Sequence, residues 1–122
     1  MKLVQGRIIT DDVAGMAAFY AALLGTPVAL NDYYVEVPAG DVSMGFAKRR
    51  FTEYGPAIRM TDRDRIILDF RVDDVDAEFE RIDALGVEWV MPPRNQPWGV
   101  RSMMFRDPAG NLVNVTSYRT AC

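Results

Sequence analysis

The sequence contains no histidine and only one cysteine among its 122 residues. Histidine is the usual imidazole metal ligand and the usual general base near neutral pH. A Ser-His-Asp triad, a Cys-His pair and an imidazole-bound zinc site are therefore excluded. Cys122 cannot form a disulfide within the chain, which suits a reducing compartment. These two scarcities favour a cytoplasmic protein that works without imidazole or thiolate chemistry.

Positive charge and long apolar runs are scarce as well. The chain has 14 lysines and arginines against 17 acidic residues, a net charge of −3. This balance predicts no surface for nucleic acid or for an anionic membrane, and Lys48-Arg49-Arg50 is interpreted as a solvated loop. No apolar stretch reaches the roughly 18 residues of a transmembrane helix, and none near the start suits a signal peptide. With 49% hydrophobic and 25% charged residues, the composition is that of one globular domain.

The most informative stretch is a hairpin near the end of the chain, with predicted strands at 100–106 and 111–117. Pro108 fixes φ for a tight turn, Asp107 can hydrogen-bond the backbone two residues on, and Gly110 is free to adopt a positive φ. Apolar and β-branched residues flank the turn on both sides, as paired strands require.

Earlier in the chain, the apolar pattern predicts a strand at 2–10 and a helix capped by Asp11 or Asp12 and ended by Gly25. Strands are predicted at 27–31, 33–37 and 42–48, followed by a polar linker at 49–65. A strand at 66–72, a helix capped at Asp73-Asp74 and ended by Gly86, and a strand at 87–91 come next. The first helix carries the apolar stripe Val13, Met16, Ala17, Tyr20, Leu23 and Leu24, and the second carries Val75, Phe79, Ile82 and Leu85.

The order of elements repeats. The run Asp11-Asp12-Val13 recurs 62 positions later as Asp73-Asp74-Val75, and Leu24-Gly25 recurs 61 positions later as Leu85-Gly86. In both parts of the chain a strand is followed by an aspartate cap, an apolar helix face and a terminating glycine, in the same order. We therefore expect that the two halves arose by an internal duplication. The fold class is predicted as α+β, one domain over 1–122 made of two βαβββ modules at about 1–48 and 66–118.

Strand parity separates an apolar face from a polar one. The face turned toward the helices is predicted to hold Val4, Ile8, Met44, Phe46, Leu68, Phe70, Val72, Met103, Phe105, Val113 and Val115. The opposite face carries Gln5, Arg7, Ser43, Gly45, Asp69, Arg71, Ser102, Met104, Asn114 and Thr116. Such a polar face either meets solvent or lines a concavity between the two sheets, and we favour the concavity.

These features resemble the vicinal oxygen chelate superfamily of glyoxalases, extradiol dioxygenases, and fosfomycin and bleomycin resistance proteins. The resemblance covers essentially the whole chain. Its most specific parts are Asp12-Val13 followed by Phe19-Tyr20, and the run from Phe105 to Val113. The stretch from Trp98-Gly99 to Asn111 is most similar to the bleomycin resistance branch. The resemblance implies paired modules forming a curved, half-barrel mixed sheet around a cleft, usually in a homodimer.

In metal-dependent members of that superfamily, histidine or glutamate side chains from four strands hold a divalent cation. The resemblance carries those positions onto Gln5, Gly45, Ile67 and Asn114. None is an ionised ligand, and the amide carbonyls of Gln and Asn bind hard cations only weakly without carboxylates. We therefore predict no metal and no other cofactor.

Our first hypothesis is a metal-independent small-molecule binding protein that sequesters an antibiotic or another aromatic compound. Aromatic rings and a few charges can hold such a ligand. Tyr33, Tyr34, Phe51, Tyr54 and Trp98 are ring candidates, although only one of the adjacent Tyr33 and Tyr34 can face a pocket. The predicted binding residues are Gln5, Arg7, Tyr34, Glu36, Asp69, Arg71, Trp98, Ser102, Met104 and Asn114.

Three alternatives stay open. The chain could be a metal-independent isomerase or lyase with Asp69 as base, although Asp69 also suits a structural ion pair with Arg71 or Arg7. It could instead be an interaction module whose cleft is vestigial. A metal-dependent enzyme using Glu36, Glu53 and Asp69 is disfavoured, since nothing in their spacing recommends it.

Overall fold

A computed structural model describes residues 1–48 and 65–118. The predicted linker therefore lies outside the described residues except for Arg65, and so does Cys122. The elements are β1 (Lys2–Ile9), α1 (Val13–Leu24), β2 (Tyr34–Ala39), β3 (Val42–Ala47), β4 (Ile66–Arg71), α2 (Val75–Asp83), β5 (Glu88–Asn95), β6 (Val100–Arg106) and β7 (Leu112–Tyr118). This is an α+β fold. Neither helix in the described ranges is long and apolar enough to cross a membrane.

The chain divides into an amino-terminal unit, Val4–Ile67, and a carboxy-terminal unit, Met1–Leu3 with Leu68–Cys122. In the amino-terminal unit, β1 pairs parallel with β3 and β2 pairs antiparallel with β3. The parallel register places Gln5 opposite Ser43 and Arg7 opposite Gly45. Pro38 lies in β2, the outer strand of this set, where a missing N–H is tolerated.

The carboxy-terminal unit has the strand order β4-β7-β6-β5, and its β5–β6 and β6–β7 pairs are antiparallel. The hairpin prediction is confirmed, with β6 beginning and ending at the predicted residues and β7 one residue later than predicted. Strand β5 continues to Asn95, beyond its predicted end. Its register with β6 shifts on both sides of Met91, next to Pro92 and Pro93, which cannot donate to a strand ladder.

Each unit has its own apolar core against its own helix. In the amino-terminal unit Phe46 is fully buried, and its ring stacks on that of Tyr20 with centroids 5.3 Å apart. In the carboxy-terminal unit Val75 and Ile82 of α2 pack with Met103 and Val115. The predicted helix-facing residues found in the two cores are Ile8, Met44, Phe46, Phe70, Val72, Met103, Phe105, Val113 and Val115.

Three local predictions are wrong. Residues 27–31 form no strand, because Pro27 has no N–H to donate and the Asn31 side chain accepts from the N–H groups of Tyr33 and Tyr34. The stripe of α1 fails at its end, where Leu23 is 66% exposed. Leu85 is also exposed, since α2 ends at Asp83 and the chain then turns.

The predicted caps are present. Asp12 is the N-cap of α1 and accepts from the Gly15 N–H at 3.0 Å, while Asp74 is the N-cap of α2. Gly25 closes α1 with φ of +66°, a left-handed conformation that glycine adopts without strain. These local signals therefore fix the start of both helices and the end of the first.

The β6–β7 turn is held by the Asp107 carboxylate. Its Oδ1 accepts from the N–H of Ala109 at 2.9 Å and from that of Asn111 at 2.8 Å, and its Oδ2 accepts from the Asn111 side chain. The hydrogen bond from the Asn111 backbone, followed by the one from its side chain, lowers the pKa of Asp107 from its ordinary value of 3.8.

We expect Asp107→Asn to lower the Tm by a few degrees at neutral pH, because the charge-assisted bonds of the turn weaken. The folded-state pKa lies below the unfolded value, so this stabilisation is complete above pH 3.8 and is lost as pH falls through the folded pKa. Thermal unfolding of both proteins from pH 7 to pH 2 measures it. Asp11→Asn, with the same change of charge at an exposed bend, is the control; a pH-independent difference for Asp107→Asn would contradict the expectation.

Candidate functional site

In the amino-terminal unit, Gln5 and Ser43 of the predicted polar face form one hydrogen-bonded group with the predicted binding residues Tyr34 and Glu36. The Gln5 amide nitrogen lies 2.9 Å from the Tyr34 hydroxyl, 2.8 Å from Glu36 Oε1 and 3.2 Å from the Ser43 hydroxyl. The strand registers bring these residues together on three adjacent strands. Since an amide nitrogen carries two hydrogens, Gln5 can serve two of these three oxygens at a time.

Tyr34 is the ring fixed in this group. Its hydroxyl donates to Glu36 Oε1 at 2.6 Å. Burial, and next the hydrogen bond to Glu36, raise the pKa of Tyr34 well above its usual range. The hydroxyl therefore stays protonated at any physiological pH and keeps Glu36 in place, whereas the neighbouring Tyr33 is 55% exposed.

Gly45 makes room for two of the predicted binding residues. A Cβ at this position would lie 2.9 Å from Arg7 Cγ and 3.0 Å from Gln5 Nε2, too close for either contact to persist. Arg7 is only 9% exposed. Glycine is thus required here so that the Gln5 and Arg7 side chains can lie over the strand.

In the carboxy-terminal unit, Asp69 and Asn114 are joined on the polar face. The Asn114 Nδ2 group donates to Asp69 Oδ1 at 2.9 Å. Asn114 is 4% exposed and Asp69 is 7% exposed. The other amide atom, Asn114 Oδ1, is buried and has no hydrogen-bond partner among the described residues. Buried polar atoms without partners are rare in native proteins.

Met104 and Ser102 extend this face along β6. Met104 lies opposite Asn114 in the β6–β7 register, and both Met104 and Ser102 are fully buried. Gln96 donates to the Ser102 hydroxyl at 3.0 Å and lies 3.4 Å from the sulfur of Met91. Sequence reasoning missed Gln96, because it lies between a strand and a turn and nothing in its pattern marks it as buried.

Besides Glu36, which is exposed, two more predicted binding residues lie at the surface. The Arg71 guanidinium is over the exposed ring of Tyr118, 4.4 Å from the centroid, which is a cation–π contact. Trp98 is 59% exposed in the turn before β6. The further ring candidates Phe51 and Tyr54, and Glu53, lie outside the described residues.

A concavity that the sequence analysis missed opens beside the start of α2. It is a groove of about 320 Å³ lined by Asp73, Asp74, Asp76, Asn95, Arg101, Ser117 and Tyr118. Arg101 bonds both carboxylate oxygens of Asp76, at 2.7 and 3.0 Å, and this pairing lowers the pKa of Asp76. The guanidinium balances only the nearest carboxylate, so Asp73 and Asp74 leave the lining of the groove net negative.

The residues at the expected metal positions do not suit a divalent cation. Gly45 and Ile67 have no donor atom in their side chains, and the Gln5 amide nitrogen is directed at three oxygens. Asn114 contributes a single amide oxygen, which without carboxylates is a weak ligand for a hard cation. Across residues 1–48 and 65–118, no three acidic, cysteine or histidine side chains are grouped as a metal site requires.

Strands packed against one helix in each of two units are typical of the vicinal oxygen chelate class. Residues 2–115 match the Glyoxalase/Bleomycin resistance protein/Dioxygenase superfamily, and the chain belongs to this family. The chain is 26% identical to the uncharacterized protein YraH of Bacillus subtilis, over 94% of this chain and 97% of that protein.

Solved structures show the same fold. The crystal structure of an NAD-dependent benzaldehyde dehydrogenase from Legionella pneumophila has a TM-score of 0.68 and 16% identity, covering 94% of this chain and 98% of that one. A glyoxalase/bleomycin resistance protein/dioxygenase superfamily member from Vibrio splendidus has a TM-score of 0.64 and 14% identity, over 97% and 98%. At these identities the likeness shows the fold alone.

Proposed function

We propose that this protein is a metal-independent small-molecule binding protein of the glyoxalase/bleomycin resistance type, which sequesters an antibiotic or another aromatic compound. The observation that carries the proposal is that polar side chains on the sheet faces turned away from the helices are buried. Arg7, Asp69, Ser102 and Asn114 are each no more than 9% exposed. Sheet faces that merely meet solvent would leave such groups in water.

The donor chemistry supports binding without a metal. Amides, hydroxyls and single charges are available in both units, and the four expected metal positions offer no carboxylate. A ligand held by such groups is oriented by hydrogen bonds and makes most of its contact with apolar walls, such as the thioether of Met104. Tyr34 is a ring whose hydroxyl is held by Gln5 on β1 and by Glu36 on its own strand.

We expect aromatic ligands, and no free metal ion, to stabilise the protein against heat. The probes are metal-free bleomycin, a naphthalene carboxamide, and the methyl ester of the same naphthalene carboxylic acid. Each is measured by thermal unfolding and by calorimetric titration in EDTA. Ligand at about a hundredfold excess over Kd stabilises by about 2.7 kcal/mol, which is a rise in Tm of roughly 10 °C for a chain of this size. Tyr34→Phe should weaken binding, and Tyr33→Phe is the matched control.

Two results would contradict this proposal. The first is a rise of several degrees with Mn²⁺, Ni²⁺ or Zn²⁺ alone, which would mean that these residues do assemble a metal site. The second is the absence of saturable binding for all three probes.

One observation favours a second candidate, a metal-independent isomerase or lyase. Asp69 is a carboxylate buried to 93% and oriented by Asn114, as a general base would be. Conversion of a bound compound, followed by chromatography and mass spectrometry, tests it. Turnover that is lost in Asp69→Asn while calorimetric binding is kept would establish the enzyme; unchanged recovery of every bound compound would remove it.

A further inference from the structure

The two polar atoms of the Asn114 side chain differ, because one is hydrogen-bonded and the other has no partner among the described residues. Its Nδ2 group donates to Asp69 Oδ1 at 2.9 Å. Reversing the amide would bring Oδ1 against the carboxylate oxygen, where two acceptors repel each other, so the Asp69 contact defines which atom is which. The acceptor Oδ1 is consequently turned away from Asp69.

This acceptor is buried without compensation. Asn114 is 4% exposed, and Oδ1 has no hydrogen-bond partner among the described residues. A buried acceptor without a hydrogen bond costs free energy, and a donor from outside the chain can recover that free energy by bonding to it. The position thus selects for a molecule that brings a hydrogen-bond donor.

The surroundings indicate the kind of molecule. Met104 lies opposite Asn114 on the neighbouring strand and is 1% exposed, so an apolar, polarisable surface adjoins the acceptor. The carboxylate of Asp69 is the other near neighbour, and it favours a donor with a partial or full positive charge over an anion. An N–H group on an apolar frame fits both neighbours.

We propose that Asn114 Oδ1 accepts a hydrogen bond from an N–H group of the bound molecule, and that the ligands are aromatic compounds which carry an amide or amino group. This inference rests on the proposed function, since it names the class of ligand for the same polar face. It assigns Asn114 as a specificity residue, in the position where metal-dependent relatives are expected to have a carboxylate.

The test compares two probes that differ in the donor alone. The naphthalene carboxamide has N–H groups, and its methyl ester has the same rings and carbonyl but no donor. In calorimetric titrations of the full chain, the amide is expected to bind at least about tenfold more tightly than the ester, since the ester leaves the acceptor unpaired. In Asn114→Leu, which keeps the side-chain size, this preference is expected to disappear while the ester still binds.

Asn95→Leu is the matched control, because Asn95 is exposed at the end of β5 and bonded to Arg101; it should keep the full preference. Equal binding of amide and ester by the unmodified chain would overturn the inference and leave the proposed function standing, since it would mean that water serves the acceptor equally well. Binding of neither naphthalene probe would overturn the inference, and it would overturn the proposed function as well if metal-free bleomycin also failed to bind. The comparison in the unmodified chain keeps the inference falsifiable if Asn114→Leu does not fold.

Discussion

Phe46→Ala is expected to lower the free energy of unfolding by about 3–5 kcal/mol. Phe46 is fully buried, stacks on Tyr20, and packs with Val13, Val35 and Val37 in the amino-terminal core. Removing the ring deletes the apolar contacts and leaves a cavity that strands β2 and β3 can fill only partly. At about 4 °C per kcal/mol, the Tm should fall by roughly 12–20 °C.

Urea unfolding followed by circular dichroism measures this loss, with the m-value expected to stay unchanged. Phe19→Ala is the matched control, since that ring is 62% exposed on the same helix as Tyr20 and contacts its edge. We expect Phe19→Ala to cost less than about 1 kcal/mol. Equal losses for the two variants would show that the ring of Phe46 is not at the centre of this core.

Gly45→Ala is expected to destabilise the protein by about 1–3 kcal/mol and to disturb the amino-terminal polar group. The added Cβ would lie 2.9 Å from Arg7 Cγ and 3.0 Å from Gln5 Nε2. Both side chains must move, and Gln5 then loses its contacts with Tyr34 and Glu36. Under the proposed function, the aromatic probes should bind at least about tenfold more weakly, which corresponds to about 1.4 kcal/mol.

Gly6→Ala is the control for this change. Gly6 lies on β1 one residue from Gln5, has no positive φ, and a Cβ there would meet nothing within 4 Å. Alanine in this strand position should be neutral or stabilising by up to about 1 kcal/mol. If Gly45→Ala behaved in the same way in urea unfolding, the close approach of Arg7 and Gln5 to Gly45 would not hold in solution.

The features predicted well are those that neighbouring residues decide. The turn at Asp107 needs one carboxylate and one glycine within five residues, and both helix caps need an aspartate just before an apolar stripe. Alternation along β6 and β7 correctly separates Met103 and Val115, which pack against α2, from Ser102 and Asn114 on the other face. In each case a short stretch contains both partners of the interaction.

The wrong predictions concern whether an element forms and how far it extends. The apolar residues at 27–31 form no strand, because Pro27 has no N–H and the Asn31 side chain bonds the backbone of the residues that follow. Leu23 continues the periodicity of α1, although its burial depends on whether the sheet reaches that far. The exposure of Trp98, a binding candidate that stays a prediction, is set by its place in a turn and not by the ring itself.

By itself, the sequence determined the α+β class, the hairpin, the caps, and the lack of ionised side chains at the expected metal positions, because each depends on residue identity or on spacing along the chain. Tertiary structure alone decided that Gln5 contacts Tyr34, Glu36 and Ser43, that Arg7 lies against Gly45, and that one oxygen of Asn114 is buried with no partner among the described residues. These facts depend on strand register, which brings together residues about 30 to 45 positions apart. No local pattern encodes that distance.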